Sequence, residues 1–132
     1  MAERCAPSLA AVGLWLSLAC GCGQADRLAD PPLEISPILV DSVEVLVQES
    51  SPPRASARVQ GVIGDGCSSV HSVQQVRSGS TVTLTILRER PPNAICIQIA
   101  LLYDETIPLE GTFPPGRYVL RVNGIETPFT TE

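Results

Sequence analysis

Few side chains in this sequence are equipped for chemistry. The single histidine, His71, stands in "CSSVHS" beside Ser68, Ser69 and Ser72. A hydrolase built on that base needs a nucleophile, an orienting acid and an oxyanion hole. The chain has no G-x-S-x-G elbow to present such a serine, so His71 is expected as an ordinary surface residue of a strand or loop. Asp104 and Glu105 in "LLYDETIPLE", with Glu110 nearby, are the kind of oxygen ligands that hard cations take. The alternating Asp and Asn of a cation loop are absent, and these carboxylates are expected to be solvated charges. Nothing in their spacing sets two of them across a cleft as a glycosidase pair. The sequence therefore assigns no catalytic residue, no metal ligand and no cofactor.

The five cysteines carry more information. Cys20 and Cys22 close an apolar run in "LWLSLACGCGQADRLADPP". As metal ligands they lack two further donors nearby. Leu9 to Ala19 is uncharged and mostly apolar, long enough for the apolar region of an export signal and too short to span a bilayer. Arg4 and the amino terminus place positive charge ahead of it. Pro7, Gly13 and the Gly-Cys-Gly that follows make a poor buried helix.

With those residues, the N-terminus resembles bacterial lipoprotein precursors. In that family a cysteine after small residues is lipid-modified and becomes the mature N-terminus. The resemblance implies a signal peptide over residues 1–21, lipidation of Cys22, and a lipidated tether over residues 22–37. Cys20, preceded by Ser17-Leu18-Ala19, is the alternative. Cutting before Cys22 removes Cys5 and Cys20 and leaves Cys67 and Cys96 to pair as a disulfide, which export would allow to persist. The implied location is the cell envelope, anchored to the membrane through lipid.

The remaining elements must position whatever the chain presents. About 100 residues follow the leader, the size of a small β-sandwich. The net charge is −5, with arginine but no lysine, and no basic cluster suits nucleic acid. Past the proline-bearing "DPPLEISP" the apolar period is two. Val43, Val45 and Val47 alternate with Glu44 and Gln48. Ala57, Val59 and Ile63 share a side, as do Val82, Leu84 and Ile86 against Thr81, Thr83 and Thr85. Ile95, Ile97, Ile99 and Leu101 form another face, expected to supply core. "SVHSVQQVR" is a weaker strand, and "RYVLRVNGIETPFTT" reads as a hairpin turned at Asn123-Gly124. With about seven strands and no helical period, the expectation is an all-β, immunoglobulin-like antiparallel sandwich over residues 38–132.

"ETIPLEGTFPPGRYVLRVNG", together with "RERPPNAICIQ" and "GDGC", resembles immunoglobulin-like modules of uncharacterised bacterial envelope lipoproteins. The resemblance implies a fold and carries no catalytic residue. The folded region lacks tryptophan, and Cys67 and Cys96 lie too close in sequence for the inter-sheet bridge of antibody domains. Their bond is expected near an edge or loop, with "SVHSVQQVR" and "STVTLTILRER" loosening first on reduction. The function expected is binding of a protein or another envelope component. Carbohydrate binding is one alternative, and inhibition of an exported protease through "RERPPNA" or "EGTFPPG" is another.

Overall fold

Alternating side chains decide where the two layers meet. The computed structural model describes residues 31–132; the expected leader and both candidate lipidation positions, Cys20 and Cys22, lie outside them. Eight strands follow in chain order: β1 (Glu34–Pro37), β2 (Leu39–Gln48), β3 (Arg54–Gly64), β4 (Ser69–Ser78), β5 (Thr81–Arg90), β6 (Leu101–Pro108), β7 (Gly116–Val122) and β8 (Ile125–Thr131). They form a β-sandwich of a five-stranded and a three-stranded sheet, the latter in the order β2-β3-β6. Val82, Leu84 and Ile86 of β5 are fully buried, as are Ala57 and Val59 of β3, Leu120 and Val122 of β7, and Phe113. Each fully buried aliphatic of this size stabilises by about 1.5–3 kcal/mol.

β5 is the hub of the larger sheet. Along one edge it pairs antiparallel with β4, from Ser69↔Glu89 to Ser78↔Thr81. Two strands share its other edge: β1 antiparallel over Leu87–Arg90, and β7 parallel over Thr81–Leu84. The parallel pair arises because the chain leaves β5, runs through β6 in the opposite sheet and returns beside β5. β7 and β8 then form the expected hairpin, with positive φ at both turn residues, Asn123 (45°) and Gly124 (89°).

Asn123 does more than turn the chain. Between the β1 and β7 ladders the Ile86 carbonyl accepts from the Ile38 N–H at 3.1 Å, but the Ile86 N–H has no backbone partner. The Asn123 amide fills that gap, donating from Nδ2 to the carbonyls of Ile86 (2.9 Å) and Ile38 (3.1 Å). Its Oδ1 accepts from the Ile86 N–H at 2.9 Å. One side chain thus continues the sheet across the join of three strands.

Three expectations are corrected by these elements. Pairing begins at Glu34, inside the segment read as tether, because Pro37 sits at the end of a short edge strand where a missing N–H is tolerated. Ile95, Ile97 and Ile99 are not core. They precede β6, lie in no ladder, and are exposed, since the opposite layer does not extend over them. The disulfide between Cys67 and Cys96, separated by 29 positions with Cα atoms 5.5 Å apart, therefore does not hold the β4–β5 hairpin, which is paired along its length. It ties the exposed segment ahead of β6 to the end of β3. That segment, rather than the two strands expected, is the one the bond restrains directly.

Gly61 shows how tightly β3 meets β2. A Cβ there would collide with the Leu39 carbonyl oxygen, beside a bulge that shifts the register between Val40 and Ser42. Only glycine lets the two backbones approach so closely.

Candidate functional site

His71 lies on β4, where its Nδ1 is 2.7 Å from Glu89 Oε2 on the neighbouring strand. Ser69 Oγ reaches the other oxygen of the same carboxylate at 3.4 Å. The acid bridges serine and histidine, whereas a hydrolytic triad needs the histidine between the other two. Ser68 is buried and donates to Asp65 Oδ1 at 3.1 Å. Ser72 Oγ is buried with no partner. No hydroxyl therefore meets the imidazole.

The carboxylates are likewise occupied or dispersed. Asp104 accepts a two-pronged bond from Arg58 (3.1 and 3.0 Å) and a third from Gln60 at 3.1 Å. Arg58 first, then Gln60, holds its carboxyl below the usual range. Asp65 Oδ2 accepts from Arg90 Nε at 2.9 Å, while Oδ1 accepts from the Cys67 N–H at 3.2 Å. Partial burial pushes this carboxyl up, but Arg90, the Cys67 N–H and Ser68 together outweigh it, and the net shift is downward. Asp65, Cys67 and Cys96 bring potential ligand atoms within 4.8 Å of one another. The two sulfurs are bonded to each other and present no thiolate, so the cluster acts as a structural clamp.

The aromatic rings face inward. Phe113, Tyr118 and Phe129 form a cluster with centroids 5.2–5.6 Å apart, capped by the Arg77 guanidinium 4.3 Å over Phe113. Tyr103 is buried at 6 % exposure. Among the described residues no ring is fully exposed; Tyr118 is half-buried, with one face stacked on Phe129. The "EGTFPPG" loop is stapled to the body: Phe113 is buried and its N–H donates to the Pro53 carbonyl at 2.9 Å. Arg77 also donates to the Thr112 carbonyl at 2.7 Å. "RERPPNA" is held from within by Arg90, which donates to Asp65 and to the Pro91 carbonyl at 3.3 Å.

What remains open is one side of the sandwich. β4 pairs only with β5, and β6 only with β3, so two strand edges lie side by side with no ladder between them. Where they part, Val70 and Val73 of β4 face Tyr103, Glu105 and Ile107 of β6 across a largely apolar groove of about 410 Å³. One side chain of β4 closes its far end. Gln75 Nε2 donates to the Pro108 carbonyl (3.2 Å) while its Oε1 accepts from the Glu110 N–H at 2.6 Å. Burial first, and then the Glu105 charge, hold the Tyr103 phenol above its usual range. A larger hollow, about 610 Å³, lies where Glu49–Ser51 and Pro53 meet Thr130–Glu132. Val47 and Pro53 lie among its polar side chains.

The sequence could not show this groove, which depends on which edges the topology leaves unpaired. Its nearest sequence signal was the valine spacing of "SVHSVQQV", which leaves Val70, Val73 and Val76 exposed.

Comparison with known proteins now decides the family. The model of the ORF11 beta-sandwich domain matches residues 57–131. The chain belongs to the ORF11 β-sandwich family. It is 33% identical over 88 residues to an uncharacterized 10.2 kDa protein in the HgiCIIM 5' region of Herpetosiphon aurantiacus, covering 67% of this chain and 94% of that one. A second uncharacterized 10.2 kDa protein of the same organism, in the HgiBIM 5' region, is 32% identical over 76 residues, covering 58% of this chain and 93% of the relative. No solved structure matches. These relatives assign no activity.

Proposed function

We propose that this ORF11 sandwich is a non-catalytic protein-binding module, held at the bacterial cell envelope by lipid on Cys22. The open side between β4 and β6 carries the reading. An extended segment of a partner can hydrogen-bond to either unpaired edge while its alternate side chains enter the apolar groove. Main-chain pairing supplies affinity in this mode, and the groove selects apolar residues at every second position. Glu105, with no cation in the groove wall, adds a preference for a basic residue on the incoming strand.

Several observations support binding over chemistry. His71 is engaged by Glu89 rather than by a nucleophile, and Asp104 is neutralised by Arg58. The carbohydrate alternative is disfavoured because Tyr103, Phe113 and Phe129 are buried and Tyr118 is half-buried. The inhibitor alternative is disfavoured because both proline loops are fastened to the body. The anchor rests on the leader resemblance alone. Mass spectrometry of the mature N-terminus tests it: a diacylated or triacylated Cys22 is expected, lost in Cys22→Ser and kept in Cys20→Ser. The binding site is tested by capture from envelope extract with the wild-type chain and with Val73→Arg, which places a charged side chain in the groove. A defined protein held by the wild type and lost by Val73→Arg is expected. Equal capture by both would remove the groove from the account.

A further inference from the structure

Exposed aliphatic side chains gather at one end of the sandwich. Leu39 of β2, Val62 of β3 and Leu102 of β6 lie opposite one another across the three-stranded sheet, so they share its outer face. Leu39 is 65 % exposed and Leu102 76 %. Beyond that row the chain ahead of β6 folds back on itself. Asn93 has a φ of 57°, and the Ile99 N–H donates to the Ile97 carbonyl at 2.9 Å, turning the chain at Gln98. The turn is fastened to the end of β3 by the Cys67–Cys96 bond and by the Gly66 N–H, which donates to the Ile97 carbonyl at 3.0 Å. It leaves Ile95 fully exposed and Ile97 71 % exposed. A loop held in this way gives up little conformational freedom on docking, and so much aliphatic surface marks an interaction site.

We infer that this end docks on the surface of a lipid bilayer, with Ile95, Ile97, Ile99 and Leu102 entering the boundary between headgroups and acyl chains. The inference rests on Cys22 carrying the lipid. Glu34 pairs with Arg90, and Arg90 donates to Asp65 beside Cys67, so the chain from Cys22 enters the fold at this same end. Twelve positions separate Cys22 from Glu34, a reach of at most about 40 Å. Lipid on Cys22 therefore delivers this end to the bilayer ahead of the other. Leu33 and Ile35, at the entry, are about half exposed. The opposite end has another chemistry: Glu49, Ser50 and Ser51 between β2 and β3, and Glu132 after β8, are exposed. An end-on contact holds those carboxylates away from the membrane.

Charge selects apolar contact over headgroup binding. The arginines at this end are engaged within the fold: Arg88 donates to Ser36 Oγ (2.9 Å) and to the Ile63 carbonyl (3.0 Å), and Arg90 to Asp65 at 2.9 Å. With Glu34, Asp65 and Glu89 beside them, no surplus of positive charge faces outward. Docking of a basic patch on anionic lipid needs such a surplus and weakens in salt. Contact through isoleucine and leucine does neither. In this orientation the strands stand on the membrane, and the groove between β4 and β6 opens sideways, so the two surfaces do not compete.

The test places a photoreactive residue at Ile95 in one full-length chain and at Val76 in another, in the membranes of the cells that produce them. Val76 is also aliphatic and 64 % exposed, but it lies opposite Thr83, toward the other end of β4. Mass spectrometry of the labelled peptides should show phospholipid adducts from position 95 and several-fold fewer from position 76. Ile97→Glu, added to the position-95 chain, should lower the lipid adduct several-fold, whereas Ile97→Leu should not, and high salt should leave the yield unchanged. Because Ile97 is exposed, neither change threatens folding. The N-terminal peptide of the same sample reports the anchor separately. Acylated Cys22 with no lipid adduct from position 95, with equal adducts from position 76, or with adducts of protein mass alone, overturns the docking surface and leaves the anchor standing. Lipid adducts from position 95 in a chain whose Cys22 is unmodified overturn the anchor and keep the surface. An unmodified Cys22 with no lipid adduct overturns both.

Discussion

Replacing Asn123 isolates a single side chain that holds three strands together. In Asn123→Gly the turn keeps a residue that adopts positive φ freely, while three hydrogen bonds to Ile38 and Ile86 disappear. Each is worth about 0.5–1.5 kcal/mol net, so together they amount to about 3 kcal/mol. The Ile38 N–H, which still donates to the Ile86 carbonyl at 3.1 Å, lowers that figure, and the greater freedom of glycine in the unfolded chain raises it by about 0.4–1 kcal/mol. The expected loss is about 2–4 kcal/mol. Asn123→Ala removes the same bonds and adds about 1 kcal/mol for a left-handed backbone, so it should be worse. Gly124→Ala is the control: φ is 89° and nothing lies within 4 Å of an added Cβ, so it reports turn strain alone, about 1–2 kcal/mol. Urea unfolding, read as a shift of midpoint at constant slope, measures all three. If Asn123→Gly lies within about 0.5 kcal/mol of wild type, its bridging bonds are not stabilising and the account of the β1–β5–β7 join is wrong.

Cys67→Ala with Cys96→Ala should cost about 3–4 kcal/mol by loop-closure entropy, and hydrogen exchange should rise first in residues 93–100 rather than in β4 and β5. Gly61→Ala should destabilise by about 1–3 kcal/mol, as an overpacked site does, because its Cβ meets backbone of β2; a neutral result in thermal unfolding would contradict the close approach. Asp65 and Asp104 have carboxyls held below the ordinary value of 3.8. Their contribution to stability is therefore present above that value and lost as pH falls through the lowered folded values. Urea midpoints should decline on acidification below about pH 4, and less steeply in a variant with both Asp65→Asn and Asp104→Asn.

The parts of the fold legible in the sequence are those whose burial follows from local alternation. Val82, Leu84 and Ile86 were readable because β5 is central and covered, so its period of two marks a true inner face. The same period misled at Ile95, Ile97 and Ile99. Alternation reports an extended backbone, but burial also needs a facing layer, and that layer does not extend there. β1 was hidden by its length and by Pro37. Asn123-Gly124 announced a turn, yet the bridge made by Asn123 depends on β1 and β7 meeting the same edge of β5, a tertiary fact. The Cys67–Cys96 pairing was readable from parity once the leader cysteines were set aside. What it fastens was not, because that depends on where β3 ends. The groove left the faintest trace, since no residue type declares an unpaired edge.

The most direct test of the open side as a binding surface is photo-crosslinking in the producing cells, with a photoreactive residue at Val73 in one chain and at Arg121 in another. Val73 lines the groove, whereas Arg121 is exposed and paired only with Glu126 at 2.8 Å. The account predicts adducts of defined mass from position 73 and none of comparable yield from position 121. Equal yields from the two positions, or no adduct from position 73, would contradict it.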